Sequence, residues 1–297
     1  MQHITVLQQE AVDGLSLRDD SIVVDATFGS GGHAREILKR LNSKGTYIGI
    51  DADQTALQAQ TFDSKATMHL VNENFRNITE VLGSLHIKHA DAILADLGWR
   101  MEQFSEGGKG FSFAHDEPLH MTFGDPSQYE FTAHDIVNEW GEDSIADIIF
   151  GYGEDRAARK IAKAIVTARK HAPIATTMQL VEIIESAFPK LHYRKVNPST
   201  KTFQALRIAV NDELGALEQF LKDSYTALKP GGKLAIITFH SLEDRVVKQY
   251  FRTLKDADMA ELETKKPIIP TQEELKANPR ARSAKLRIIT KTTSSQT

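Results

Sequence analysis

Apolar residues fall in two rhythms along this chain. Residues 21–25 (SIVVD), 46–51 (TYIGID), 67–71 (TMHLV) and 90–96 (ADAILAD) are short apolar runs of strand length. Between them the spacing changes. Ile37, Leu38 and Leu41 in "AREILKRL" (34–41) predict a helix, and "QTALQAQTF" (54–62) predicts a second. Strands alternating with helices predict an α/β fold built on a parallel, doubly wound sheet.

The alternation stops near residue 104. Residues 105–128, rich in Gly, Ser, Asp, Pro and aromatics, predict a long ordered loop, and 133–188 predict several helices. The α/β pattern returns with a helix over 204–228, a turn and strand in "LKPGGKLAIITF" (228–239), and a helix around "EDRVVKQYFRTL" (243–254). The expected organisation is one α/β domain, 1–104 with 205–297, and an inserted, mainly helical domain over 105–204 that recognises substrate.

Composition narrows the chemistry. The 297 residues are 41% hydrophobic and 26% charged, as in globular proteins, and no apolar run reaches membrane-span length. A cytoplasmic protein without membrane contact is expected. There is no cysteine, which excludes disulfides, iron–sulfur clusters, thiolate zinc sites and thiolate nucleophiles. No metal site is expected. Methylation at carbon 5 of a pyrimidine, which normally needs a cysteine at carbon 6, is excluded with them.

The densest chemical signal is "VVDATFGSGGHA" (23–34). Gly29, Gly31 and Gly32 bare the backbone where a predicted strand meets a predicted helix. The string Gly29-Ser-Gly31-Gly-His-Ala34 fits G-x-G-x-x-A, and Asp51 follows at the end of the next strand. Those are the parts of a dinucleotide fingerprint. A Walker loop is excluded, because no Gly-Lys-Ser/Thr follows. Asp25 argues against NAD, since a pyrophosphate beside it would meet a negative charge. S-adenosylmethionine carries no phosphate and offers an ammonium and a sulfonium instead. The Pro-Gly-Gly turn before the last predicted strand also looks like class I methyltransferases.

Chemistry in such folds lies beyond the carboxyl ends of the strands. The fourth strand ends in "ADLGW" (95–99). Asp96 there is the candidate catalytic group: a carboxylate accepting an amine N–H raises electron density on nitrogen as attack proceeds. Trp99 is the candidate platform for a flipped base. A turn role for Asp96 and a core role for Trp99 stay open.

Net charge is −4, so a nucleic-acid surface needs local clustering. Residues 155–171 place Arg156, Arg159, Lys160 and Lys163 on one helical face. Residues 190–207 mix basic and aromatic side chains. The segment 275–297 carries Lys276, Arg280, Arg282, Lys285, Arg287 and Lys291 and no acid after Lys276. Three such clusters suggest a phosphate-binding surface. A solvated face remains the competing reading.

Long strings then carry a resemblance: "DATFGSGGHA", "DLG" at 96–98, "GFSF" at 110–113, "GYGEDRAARKIAKAI", "TFQALRIAVNDEL", "FHSLEDR" and "NPRARSAKLR". The chain resembles, nearly end to end, the bacterial small-subunit (16S) ribosomal RNA cytosine-N4 methyltransferases of the MraW type. The resemblance implies a class I (Rossmann-like) methyltransferase domain with a helical insert. It implies methyl transfer from S-adenosylmethionine to N4 of a decoding-centre cytidine, in ribosomal RNA or the 30S particle. A homodimer is a further expectation. By similarity, cofactor contacts fall on Gly31, Gly32, His33, Asp51, Phe75, Asp96 and Gln103. RNA contacts fall on Arg156, Arg159, Lys160, Lys163, Lys201, Arg245, Arg280 and Arg282.

The chain departs from the family at Trp99-Arg100-Met101 (for Val-Ser-Ser), at His120 (for an acid), at Thr122 and at Lys201 (both for arginine). These positions are expected on the rim of the target pocket. Three alternatives follow: a divergent paralogue methylating another RNA nitrogen, a non-catalytic RNA-binding assembly factor of the same fold, and an NAD-dependent oxidoreductase.

Overall fold

The computed structural model describes residues 4–58, 61–98, 108–188 and 197–293. The chain divides into two compact units, Met1–Arg100 with Leu214–Thr297, and Met101–Glu213.

In the first unit, α1 (Gln8–Gly14) precedes β1 (Ile22–Asp25), α2 (Gly32–Arg40), β2 (Thr46–Asp51), α3 (Gln54–Gln58), β3 (Thr67–Asn72), α4 (Ile78–Ser84) and β4 (Ala90–Asp96). The helix expected over 54–62 is described over Gln54–Gln58, and Thr61 and Phe62 are not helical. The strands align in the order β3-β2-β1-β4, all parallel. The sheet separates two apolar clusters, because successive strand residues point to opposite faces. Val23, Tyr47 and Leu94 join α1 and α2 on one side. Val24, Ile48, Ile50 and Ile93 join Ile78 and Leu82 of α4 on the other. β1, β2 and β4 are buried on both faces, which is why they read as unbroken apolar runs, while no residue of the edge strand β3 is fully buried. Each such Val, Ile or Leu contributes about 1.5–3 kcal/mol by leaving water.

The helix expected over 204–228 is two helices. Asp212 adopts φ 47°, in the left-handed region, and ends Ser199–Asn211; α10 (Glu213–Ala227) then begins. A left-handed residue cannot continue a right-handed helix. Three elements follow: β5 (Leu228–Thr238), α11 (Ser241–Asp256) and β6 (Ala260–Leu262). After them come α12 (Gln272–Ala277) and β7 (Lys285–Lys291). β5 joins β4 in parallel after an irregularity at the Pro-Gly-Gly turn. β7 enters antiparallel between β5 and β6, completing a seven-stranded sheet.

The second unit is helical: α5 (Ala133–Glu139), α6 (Glu142–Gly153), α7 (Ala158–Ala168), α8 (Thr177–Ser186) and α9 (Ser199–Asn211). They surround one apolar cluster containing Ile136, Ile149, Ile161, Ile165, Leu180, Ile184 and Leu206. The preceding loop is ordered by named contacts. Gly110 donates to the buried Glu117 carboxylate at 2.8 Å, and Asn211 donates to the Met121 carbonyl at 2.7 Å. Arg207 meets Glu213 through two hydrogen bonds of 2.8 and 3.0 Å. Among the described residues, no helix is long and apolar enough to cross a membrane.

Candidate active site at the strand ends

β1 is flanked by β2 on one side and β4 on the other, so the chain leaves it in opposite directions. The crevice at the carboxyl ends of such strands is where open α/β sheets bind ligands. Asp25, Asp51 and Asp96 are the last residues of β1, β2 and β4. The ends of three neighbouring strands therefore carry three carboxylates that are far apart in sequence.

The glycine turn is shaped by close packing. Gly31 caps α2 with φ 71°, a conformation that a Cβ disfavours. A Cβ there would also stand 2.7 Å from the Phe62 ring. A Cβ on Gly32 would overlap the Thr5 hydroxyl. His33 lies in the first turn of α2, buried, with Nδ1 4.0 Å from the Asp96 carboxylate.

Asp51 holds this turn. Its carboxylate accepts the Gly29 N–H at 2.7 Å and the Asp53 N–H at 2.9 Å. A carboxylate oxygen has more lone pairs than these bonds use, so ribose hydroxyls fit the same group. Phe75 sits in a short 3₁₀ turn after β3, half-buried, with its ring edge-on to Phe220 at 5.2 Å. Asn74 caps that turn by accepting the Arg76 N–H at 3.0 Å. A bared glycine turn, a strand-end carboxylate and an apolar ring fit a nucleoside-bearing group.

Asp25 is 1% exposed, and Tyr47 donates its hydroxyl to it at 2.8 Å. Burial pushes the Asp25 carboxyl up to about 6, against the pull of the Tyr47 bond. The sequence suggested that Asp25 would meet ligand cations. The carboxyl is almost wholly enclosed, so the structure does not expose it for such a contact.

Asp96 is 17% exposed at its side chain. Its N–H is held by the Thr27 hydroxyl at 2.6 Å, and its carboxylate accepts the Gly98 N–H at 3.0 Å. Burial, then the negative fields of Asp25 and Glu243, push its carboxyl up to about 7. Such a group stands ready to take a proton near neutrality.

Two participants were missed by sequence reasoning. Thr27 lies within the quoted glycine-turn motif, where it was given no role. Glu243 lies within a quoted motif, where it was given no role. It is buried at the start of α11, accepting the N–H groups of Phe239 at 2.8 Å and His240 at 3.2 Å. The signal was the His-x-x-Glu spacing, which makes a capping box here.

Trp99 and Gln103 lie outside the described residues, as do the substituted positions Arg100 and Met101. Thr122 is 0% exposed, with its hydroxyl donated to the Gly124 carbonyl at 3.0 Å, so it is a core residue rather than an exposed rim residue. His120 is half-buried in the same loop.

The basic clusters have separate fates. Arg156, Arg159, Lys160 and Lys163 are exposed, and no described acid pairs with them. Lys201 is exposed and donates to the Glu154 carbonyl at 2.8 Å, at the end of α6. Arg280 and Arg282 are exposed in a short 3₁₀ turn. Arg245 is exposed on α11, next to the buried Asp244. The rest of the C-terminal cluster is largely spent internally. Lys285 and Arg287 bind Asp244 at 2.9 and 2.7 Å. Burial works against ionisation there, yet these two bonds hold Asp244 below the usual carboxylate range. Lys291 donates to the Tyr225 and Leu228 carbonyls at 2.9 and 2.8 Å.

A parallel sheet into which β7 inserts antiparallel between β5 and β6, with a glycine turn and acidic strand ends, defines a class I methyltransferase. A dinucleotide-binding sheet would instead run 3-2-1-4-5-6. The chain belongs to the MraW methylase family, whose model matches residues 1–292. It is 46% identical to the ribosomal RNA small subunit methyltransferase H of Symbiobacterium thermophilum, across 97% of this chain and 96% of that one. The protein of the same description from Clostridioides difficile is 40% identical, across 97% and 98%. Among solved structures, a rRNA methylase from Streptococcus thermophilus aligns over 98% of this chain and 100% of its own, with TM-score 0.44 and 14% identity.

Proposed function

We propose that this methyltransferase uses S-adenosylmethionine to methylate N4 of a cytidine in small-subunit ribosomal RNA, at the decoding centre. The observation that carries the reading is Asp96, a strand-end carboxylate beside the glycine turn whose carboxyl is pushed up to about 7. An amine conjugated to a ring is a weak nucleophile, and a nearby proton acceptor is what its attack requires. The relatives' description as small-subunit ribosomal RNA methyltransferases supports the substrate.

S-adenosylmethionine, when bound, supplies an electrophilic methyl on a sulfonium. The chain's residues do the rest. Gly31, Gly32 and the first turn of α2 let the backbone approach the cofactor, with His33 lining that turn. Asp51 takes the ribose hydroxyls while keeping Gly29 in place. Phe75 packs near the adenine. Asp96 accepts an N–H of the amine and removes its proton as the nitrogen–carbon bond forms. Trp99 stacks on the base and Gln103 completes the cofactor contacts. The unit Met101–Glu213 recognises RNA, and Arg156, Arg159, Lys160, Lys163, Lys201, Arg245, Arg280 and Arg282 contact phosphates.

The test is mass mapping of small-subunit RNA from a strain lacking the gene, before and after treatment with the pure protein and labelled cofactor. Label at N4 of a single cytidine is the expected result. Label on another atom, or none in the presence of bound cofactor, would overturn it.

A further inference from the structure

The helix α7 has a flank that neither the core nor the reaction site uses. Ala158, Ile161, Ala162 and Ile165 face the apolar cluster of the second unit. The adjoining stripe, Lys160, Lys163, Ala164, Thr167 and Ala168, faces Ile183, Ser186 and Ala187 at the end of α8. Small side chains on both helices leave a groove of about 350 Å³ between these stripes. That lies at the lower end of the roughly 300–1,000 Å³ that small-molecule sites span.

The groove has a specific chemistry. Its floor is apolar, made by Ala164, Ala168, Ile183 and Ala187, and no carboxylate lines it. Lys160 and Lys163 stand at one edge, and no described acid pairs with either. The Lys160 ammonium lies 5.0 Å from the centre of the Phe188 ring, which holds it near the groove. The exposed acids of α8 are accounted for separately: Glu185 accepts Asn197 at 3.3 Å, and Glu182 does not line the groove. The two hydroxyls matter as well. Thr167 donates to the Lys163 carbonyl and Ser186 to the Ile183 carbonyl, each at 2.7 Å. With their protons spent inside the helices, both oxygens face a ligand as acceptors.

An apolar floor, two cations with no acid partner among the described residues and two hydroxyl acceptors match one ligand class. A flat base covers the floor, a phosphate meets the lysines, and a ribose hydroxyl or exocyclic amine donates to Thr167 or Ser186. We infer that this groove docks a nucleotide of single-stranded RNA, as an anchoring subsite that shares no residue with the strand-end carboxylates. The inference rests on the RNA substrate proposed above. An apolar protein helix would fill the floor but make no use of the two lysines or the two acceptors.

The experiment uses the full chain and a short uridine-rich RNA carrying one 4-thiouridine. Irradiation followed by peptide mapping is expected to place crosslinks within 160–168 or 183–188. Ala168→Leu fills the floor without changing charge and is expected to weaken RNA binding roughly fivefold or more. Lys160→Gln with Lys163→Gln is expected to flatten log K against log salt by roughly 1 to 1.5, since each single-strand phosphate contact contributes about 0.7. Cofactor affinity and melting temperature serve as controls for folding in both variants. Crosslinks confined to other segments, or an unchanged salt slope in the folded lysine variant, overturn the inference. So does a shift in sedimentation by Ala168→Leu with RNA affinity intact, which would assign the groove to a second copy. Methyl transfer is read separately. A chain that crosslinks in the groove but leaves small-subunit RNA unmethylated sinks the proposed reaction and keeps the groove.

Discussion

The Thr27 hydroxyl accepts the N–H of Asp96 at 2.6 Å. This bond ties the glycine turn after β1 to the end of β4, so the cofactor loop and the proposed proton acceptor share one anchor. Thr27→Val keeps the shape and removes the acceptor, stranding a mostly buried N–H at a cost of about 1–3 kcal/mol. Turnover should fall while RNA affinity holds, and Thr27→Ser should restore it. Equal turnover in the Val and Ser variants, measured in single-turnover assays, would show that the bond does not position Asp96.

Asp51→Ala should weaken S-adenosylmethionine binding by roughly 1.5–3 kcal/mol, the range for hydrogen bonds to a charged group. Part of the loss comes from freeing the Gly29 N–H that Asp51 holds. Calorimetry on the folded variant decides this, and unchanged affinity would remove Asp51 from the site.

Asp96 should impose a pH dependence of both rate and stability. Its folded-state carboxyl is pushed up to about 7 from an ordinary value of 3.8. If its ionised form accepts the amine proton, the rate climbs with pH and levels off above about 7. Bound cofactor, being cationic, should move that midpoint down. Stability has the opposite sign. Between about pH 4 and 7 the native state holds a proton that the unfolded chain has lost, so stability falls as pH rises. Asp96→Asn removes this penalty. It should raise stability at pH 8 by on the order of 1–4 kcal/mol and lower turnover by on the order of 10²-fold or more. Parallel melting and turnover series across pH would expose a failure of either half.

Gly31→Ala should be costly twice over. The left-handed conformation disfavours a Cβ by roughly 1–2 kcal/mol, and the Phe62 ring stands in its way. Phe62→Ala in the same chain should recover the second part only. A Gly31→Ala chain with wild-type melting temperature would mean that the turn relaxes freely.

Asp244→Ala should loosen the C-terminal strand, because Lys285 and Arg287 of β7 both converge on that carboxylate. The expected loss is roughly 2–4 kcal/mol, that of stranding partly buried cations. Hydrogen exchange should rise first at 285–291. Uniform protection across β7 would contradict a local anchor.

The sequence alone determined the parallel half of the sheet. β1, β2 and β4 are buried on both faces, so each appears as an unbroken apolar run, and the edge strand β3 is recognised from its length and its place in the alternation. It also determined the glycine turn, Asp51 and Asp96, because backbone approach and strand-end charge leave marks on neighbouring residues. Tertiary structure decided what depends on partners distant in the chain. β7 was legible only as basic residues. Its lysines and arginine are internal because Asp244 and the carbonyls that end α10 stand opposite them. Likewise Asp212 ended a helix whose apolar spacing runs on without a break. The raised carboxyl of Asp96 comes first from its burial and then from Asp25 and Glu243, 71 residues before it and 147 after, which only the sheet and the capping of α11 bring close. Charge acts through distance in space, and the sequence records only distance along the chain.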